Sequence, residues 1–328
     1  MATIRKRNGT WQVQIRRRGQ TVSKTFKQRT DAQRWANQTE LEADRKGLST
    51  DFSTLKRLTV GDILVRFRDT VAPQRRGHKN ETIVLNAFLR NELARVRLSE
   101  LAPDSFGAYR DARLQAVKPG TINRELGLIQ HIFEVARTEW SIPIAINPVK
   151  AIRKPKADKA RDRRLQPGEW EKLTTACAKC RNKLLSPLVR FAVETAMRRG
   201  EMLHIRWQDL RWAESTLHIS VTKTGEPRTI PLSVEAKTVL VELAIAWSGE
   251  ARIFPLTAES VKLAWKRLVN RAGLDNLTFH DLRHEAVTRF FERGLTIPEV
   301  ALISGHKDPR MLFRYTHLRA EGVALKLR

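Results

Sequence analysis

The chain has 328 residues, 41% of them hydrophobic, with 61 Lys+Arg against 35 Asp+Glu and a formal net charge of +26. That apolar content excludes a disordered tail protein, and the length predicts two or three domains of ordinary size. The longest nearly apolar run, around Val239–Trp247, is far short of the roughly 20 residues a bilayer span needs. The start, MATIRKRNGT, carries no apolar leader. Two cysteines, Cys177 and Cys180, exclude a disulfide scaffold and point to a reducing, cytoplasmic setting. So large a positive excess calls for a polyanionic partner. An anionic membrane surface fits less well, because the charge is spread along the chain instead of lying on one amphipathic helix.

In chain order, residues 1–52 carry +7. The alternating runs 11–17 (WQVQIRR) and 21–27 (TVSKTFK), around Arg18-Gly19-Gln20, predict a hairpin. Thr30-Asp31 starts a helix that runs to about Lys46 and stops at Gly47. A ββ(β)α module this basic predicts a DNA-binding appendage, with Arg16, Arg17 and Arg18 at its hairpin as contacts; a plain oligomerisation module is the alternative. Residues 53–150, at +6, predict a four-helix domain. Thr59 and Asp62 form a capping box ahead of Ile63, Leu64 and Phe67. A second helix covers about 80–93 with Ile83, Leu85, Phe88 and Leu89. A third follows Pro103-Asp104. A fourth runs from about Thr121 to Trp140 on Leu126, Ile129, Ile132, Phe133 and Val135.

Residues 151–164, AIRKPKADKARDRR, hold +5 in fourteen positions and predict an extended linker. Lys154, Lys156, Arg161 and Arg163 are candidate phosphate contacts there; a solvated tether is the alternative. Residues 165–328, at +8, predict a mixed α+β domain with three short strands, Asp209–Trp212, Leu217–Thr222 and Arg228–Leu232. A turn at Lys223-Thr224-Gly225-Glu226 joins the last two. No glycine-rich phosphate loop occurs, so no nucleotide cofactor is indicated. Cys177-Ala178-Lys179-Cys180 lacks a second cysteine pair for zinc and a preceding strand for redox work, and reads as structural. His280, His284 and His306 could ligate a metal, but Glu285 is not placed as in HExxH.

Four segments of the last domain stand out together: TAMRRGE with Arg198 and Glu201, expected late in a helix that starts near Pro187; TKTGEPRTIPL with Lys223; HDLRH with His280 and Arg283; and LISGH with His306, followed nine residues later by Tyr315 in MLFRYTHL. Asp308-Pro309 predicts a helix start that places Tyr315 about two turns in. Singly, each segment has a bland reading: a surface arginine, a turn lysine, a satisfied histidine pair, a core tyrosine.

As an ordered set they resemble the tyrosine recombinases, or phage integrases. The arginine box of that family has Gly where this chain has Ala196, and Ser304 is an addition to its Leu-Gly-His box. The resemblance implies a mainly α fold with a small antiparallel sheet: an N-terminal ββ(β)α module, a helical core-binding domain and a mixed α+β catalytic domain. It implies metal- and ATP-independent transesterification of DNA without a cofactor. Tyr315 would attack the scissile phosphate and form a 3′-phosphotyrosyl link. Arg198 and Arg283 would hold the non-bridging oxygens, with His306 hydrogen-bonded to the phosphate. Lys223 would protonate the leaving 5′ oxygen, and His280 would help remove the tyrosine proton. Glu201 would orient the basic groups; His284 is given no chemical role. With only Tyr109 and Tyr315 in the chain, and Tyr109 away from every box, the nucleophile is nearly forced.

The implied partners are double-stranded core sites and arm sites, a homotetramer on DNA, and a host bending protein or excision factor, with the work done at the nucleoid of a prokaryotic cytoplasm. The segment Thr316–Arg328, with Val323, Leu325 and Leu327, would dock on a neighbouring subunit or pack on its own domain. A type IB topoisomerase-like relaxing enzyme and a non-catalytic DNA-binding regulator are the competing functions; the full set of groups argues against the latter.

Overall fold

The computed structural model describes residues 2–17, 20–46, 53–157, 161, 163–221, 225–246 and 249–316. The chain divides into two compact units, residues 1–159 and 160–328. No helix among the described residues is long and apolar enough to cross a membrane.

The first unit begins with an antiparallel sheet of β1 (Ala2–Arg7), β2 (Thr10–Arg17) and β3 (Gln20–Phe26), in that order. The hairpin register pairs Arg17 with Gln20 and Trp11 with Phe26. Period-two alternation turns Val13 and Ile15 to one face, where they bury against Ala32 and Ala36 of α1 (Arg29–Lys46). Phe26 and Trp35 meet at 5.6 Å between ring centroids. On the opposite face Thr3, Arg5, Arg7, Ser23 and Thr25 are exposed.

A second core in this unit is built from α2 (Ser53–Arg57), α3 (Val60–Thr70), α4 (His78–Phe88), α5 (Pro103–Leu114) and α6 (Pro119–Thr138). The Thr59–Asp62 capping box forms as the sequence predicts: Thr59 Oγ1 accepts from the Asp62 amide at 3.1 Å, and Asp62 accepts from the Thr59 amide at 2.8 Å. Leu126, Ile129, Ile132 and Phe133 of α6 are fully buried against Ile63, Leu64 and Phe67 of α3. Ile83 departs from expectation. It is 67% exposed, because α4 uses Leu85 and Phe88, one turn apart, as its inner stripe. Tyr109 donates to Glu125 at 2.9 Å, and Arg113 closes that buried network at 2.7 Å.

Residues 151–157 run without regular structure along this unit. Asn123 donates to the Pro155 carbonyl, Arg110 to the Arg153 carbonyl and Lys154 to Gln130, each at 2.8 Å.

The second unit contains α7 (Glu169–Ala178), α8 (Leu185–Thr195), α9 (Arg199–Met202), the antiparallel strands β4 (Leu210–Arg211), β5 (Thr216–Ile219) and β6 (Arg228–Pro231), then α10 (Val234–Ile245), α11 (Ala258–Arg271), α12 (Asp281–Glu292), α13 (Ile297–Ser304) and α14 (Phe313–Thr316). Helices α8 and α12 pack together at the centre, and Phe191, Phe254, Leu282 and Val287 are fully buried there. The strands are shorter than predicted, and Leu217, Ile219 and Ile230 are turned onto the buried face of the sheet. Cys177 and Cys180 are buried in this core; burial holds the Cys177 thiol up at about 11, and Arg271 donates to Cys180 Sγ at 3.0 Å.

Candidate active site

Three chain breaks converge at the C-terminal end of α8 and the N-terminal end of α12. The first is Ala196, which caps α8 with φ +49°, in the left-handed region that favours glycine. Arg198 therefore does not continue α8, as the sequence led one to expect. It is the extended N-cap of α9, and its side chain turns back to Glu201 at 2.8 Å while its backbone N–H donates to the same carboxylate at 3.0 Å. The Ala196 carbonyl that the reversal exposes accepts Arg283 Nη1 at 2.5 Å. One irregular residue thus sets both arginines.

The second break is Gly305, the left-handed cap of α13 at φ +71°. His306 follows it and accepts from Arg283 Nη2 through Nε2 at 3.3 Å. Because Nε2 accepts, the ring proton lies on Nδ1, which donates to Ser304 Oγ at 2.7 Å; Ser304 in turn donates to the Val300 carbonyl at 2.6 Å. The added serine of LISGH is fully buried and fixes the tautomer of the box histidine.

The third break is the turn from Asp308 through Pro309–Met311 into α14. Asp308 caps it, accepting from the Arg310 amide at 3.0 Å. Tyr315 lies in α14, a single short turn instead of the second turn of a longer helix. It is 7% exposed, beneath fully buried Leu312. Its hydroxyl hydrogen-bonds His284 Nδ1, and the two rings stack at 5.5 Å with 26° between planes. His280, at the exposed start of α12, meets the His284 ring edge-on at 5.0 Å.

Two of these partners lie outside the residues the motifs singled out. Arg228 of β6 is 14% exposed at its side chain and joins Glu201 Oε2 at 2.7 Å. It also donates to the Ile303 carbonyl at 3.2 Å, so one guanidinium ties α9 to α13. The sequence held the signal: Arg228 is two residues before fully buried Ile230 and shares its inward face. His284 lies one helical turn from His280, and only the docking of α14 brings it to the Tyr315 hydroxyl.

The electrostatics follow from burial beside clustered cations. Burial alone would raise Glu201, but hydrogen bonds from Arg228 and Arg198 hold its carboxyl below the usual range. Burial, then Arg198, pulls Arg283 down to about 9, so it remains cationic at neutral pH. Burial pulls His306 to about 4, with Arg283 and Arg198 adding to it. Burial, then His280 and Arg314, pulls His284 to about 4. Burial pushes the Tyr315 phenol up, against Arg314 and Arg283. The site holds the neutral imidazoles of His284 and His306, the guanidinium groups of Arg198, Arg228 and Arg283 and the protonated Tyr315 phenol, which suits a phosphodiester that gains negative charge as it reacts.

Lys223 lies outside the described residues, as do Arg18 and the segment after Thr316. Arg16 and Arg17 pair through their backbones with Thr21 and Gln20 in the hairpin. Lys156 is exposed. Arg161 is ion-paired to buried Asp281 at 2.8 Å, and Arg163 to Glu169 at 2.6 Å. Among the described residues no cluster of His, Cys, Asp and Glu could hold a metal ion.

Residues 163–321 match the phage integrase family. The chain is 36% identical over 282 residues to a shufflon-specific DNA recombinase of Escherichia coli, covering 83% of this chain and 72% of that protein. It is 31% identical over 341 residues to a putative integrase/recombinase of Haemophilus influenzae, covering 99% and 90%. Its fold is similar to that of lambda integrase in a tetramer bound to a Holliday junction, with a TM-score of 0.67 at 22% identity over 93% of this chain and 96% of that one.

Proposed function

The chain belongs to the phage integrase family and is a site-specific tyrosine recombinase, and from that premise we propose that it integrates or excises a mobile DNA element through a 3′-phosphotyrosyl intermediate on Tyr315. The observation that carries the reading is the convergence of Arg198, Arg283 and His306 through hydrogen bonds about the ends of α8, α12 and α13, with Tyr315 held against α12 by its hydrogen bond to His284.

In this reaction the tyrosine oxygen bonds to phosphorus and the 5′ oxygen leaves. The bond energy is kept in the adduct, so a second 5′ hydroxyl can reverse the step on a new strand. Arg198 and Arg283 supply two planar donor forks for the non-bridging oxygens. As the phosphate enters, its charge raises the basicity of His306, whose imidazolium Nε2–H then donates to it. Lys223 serves as acid for the leaving oxygen, and Glu201 holds Arg198 in place. His280, at the mouth of the site, assists proton transfer.

The basic surfaces have separate tasks. The N-terminal sheet, with Arg16, Arg17 and Arg18, binds arm sites. The helical domain, residues 53–150, and the catalytic domain, residues 165–328, hold the core site, and the linker of residues 151–164 lies on its backbone. Lys154 and Lys156 are its main phosphate contacts; Arg161 and Arg163 share their charge with Asp281 and Glu169 and contribute less. Four copies act on two duplexes, in keeping with the lambda integrase tetramer, with a bending protein or excision factor biasing direction and the tail after Tyr315 docking between subunits.

The test is a plasmid carrying two copies of the DNA selected by this chain from a random-sequence pool. The reading predicts resolved or inverted products. Relaxation of the plasmid without any exchange between the two sites would favour a type IB topoisomerase.

A further inference from the structure

We propose that His284 is the catalytic base of this site: it takes the proton from the Tyr315 hydroxyl as the tyrosine attacks, with His280 behind it. The proposal rests on the recombinase reading.

Geometry carries it. His284 Nδ1 is hydrogen-bonded to the reacting oxygen itself, and ring stacking holds the pair in register. Both residues stand on packed elements, α12 and α14, which touch directly. Thr288 donates to the His284 carbonyl at 3.0 Å and steadies the turn that carries it. His280, the box histidine, contacts the edge of the His284 ring at 5.0 Å and is exposed. It is placed to pass a proton between His284 and solvent.

The charged and titratable groups facing His284 come from three places. His280, Asp281 and Arg283 lie on its own helix, Arg314 and Tyr315 on α14, and His306 at the end of α13. Their balance is cationic, and together with burial it keeps the imidazole neutral at pH 7, so the Nδ1 lone pair can accept the phenol proton. A phosphodiester entering this cluster reverses the balance, since a nearby anion favours the imidazolium. The base therefore strengthens when the substrate arrives and stays weak without it.

In the step, the Tyr315 Oη–P bond forms as the P–O5′ bond breaks. The Oη proton moves to His284 Nδ1, and the 5′ oxygen receives its own proton from Lys223. On reversal His284 returns the proton to the phenol. No oxidant or other co-reactant is needed.

The test uses a duplex selected by this chain from a random-sequence pool and made with a 5′-bridging sulfur at the scissile position. Sulfur leaves without an acid, so adduct formation reports the nucleophile side alone. His284→Asn keeps an acceptor near the Nδ1 position but cannot take up a proton. It is expected to form adduct about 10²-fold more slowly than the unaltered chain. Its rate should rise about tenfold per pH unit where the unaltered chain is flat. His284→Ala is expected to regain rate when imidazole is added, with all rates normalised to the DNA-bound fraction so that loss of folding does not mimic loss of a base. Adduct formation by His284→Asn at the unaltered rate with the unaltered pH profile would overturn the proposal. Faster adduct formation in either variant would do so too, showing that the contact is a brake. Failure of the unaltered chain to form any adduct would instead count against the recombinase reading.

Discussion

Replacing Gly305 with alanine probes how the arginine cluster is assembled. Gly305 has φ +71°, and a Cβ there would lie 2.9 Å from Arg228 Cζ and 3.0 Å from its Nε and Nη1. The left-handed backbone alone costs an L-residue about 1–2 kcal/mol. Arg228 cannot yield freely, because it is held by Glu201 at 2.7 and 3.2 Å and by the Ile303 carbonyl at 3.2 Å. Loosening those charge-assisted bonds costs a further ~1.5–3 kcal/mol. Gly305→Ala should therefore destabilise the catalytic unit by roughly 2.5–5 kcal/mol. In an Arg228→Ala background only the backbone part should remain. The assay is hydrogen exchange of α8 and α12 peptides across a urea series for the four chains of the cycle. A coupling of about 1.5–3 kcal/mol is expected; costs that add to within about 0.5 kcal/mol would refute the contact between Gly305 and the arginine.

Further outcomes follow from the same geometry. Ser304→Ala removes the acceptor of His306 Nδ1–H, which should cost about 1–3 kcal/mol and release the ring to a mixture of tautomers visible by nitrogen NMR. The stability of the unliganded chain should fall as pH drops. His284 and His306 titrate at about 4 when folded and near the ordinary 6.5 when unfolded, so between those values the unfolded chain binds more protons. Stability should be full above about pH 6.5 and decline toward pH 4, by at most about 1.4 kcal/mol per unit for each histidine; chemical denaturation across that range checks it, and a double Asn variant should flatten the decline. For DNA affinity against salt, replacing Lys154 and Lys156 with alanine should lower the slope by about 0.9 for each phosphate no longer neutralised, and Arg161→Ala by less, because Arg161 is already paired with Asp281.

Arg198, Arg283, His306 and Tyr315, which the structure brings to one place, stand in ordered boxes in the sequence, and arginine forks, histidines and a well-placed tyrosine have few other joint uses. The helical domain was legible in its capping box and in the 3.6-residue stripe of α6, and the hairpin in its period-two alternation. The connections between boxes were not. Arg198 looked helical because TAMRR has no obvious breaker; tertiary packing places Ala196 in a conformation its own propensity disfavours, and the helix ends there. Ile83 looked like core because α4 is apolar on more than one side, and only its neighbours choose the inner stripe. Arg228 was inside a quoted motif, but its importance comes from Glu201, 27 residues away in sequence. The contact of His284 with Tyr315 spans 31 residues and depends on how α14 docks, which no local pattern encodes.

The most direct measurement is the fate of Tyr315 on DNA. The chain is incubated with EDTA and a nicked duplex of its selected site, then digested and examined by mass spectrometry. A 3′-linked nucleotide on the peptide containing Tyr315 is the predicted result, present in Tyr109→Phe and lost in Tyr315→Phe. Cleavage that requires a divalent metal and leaves Tyr315 unmodified would contradict tyrosine transesterification outright.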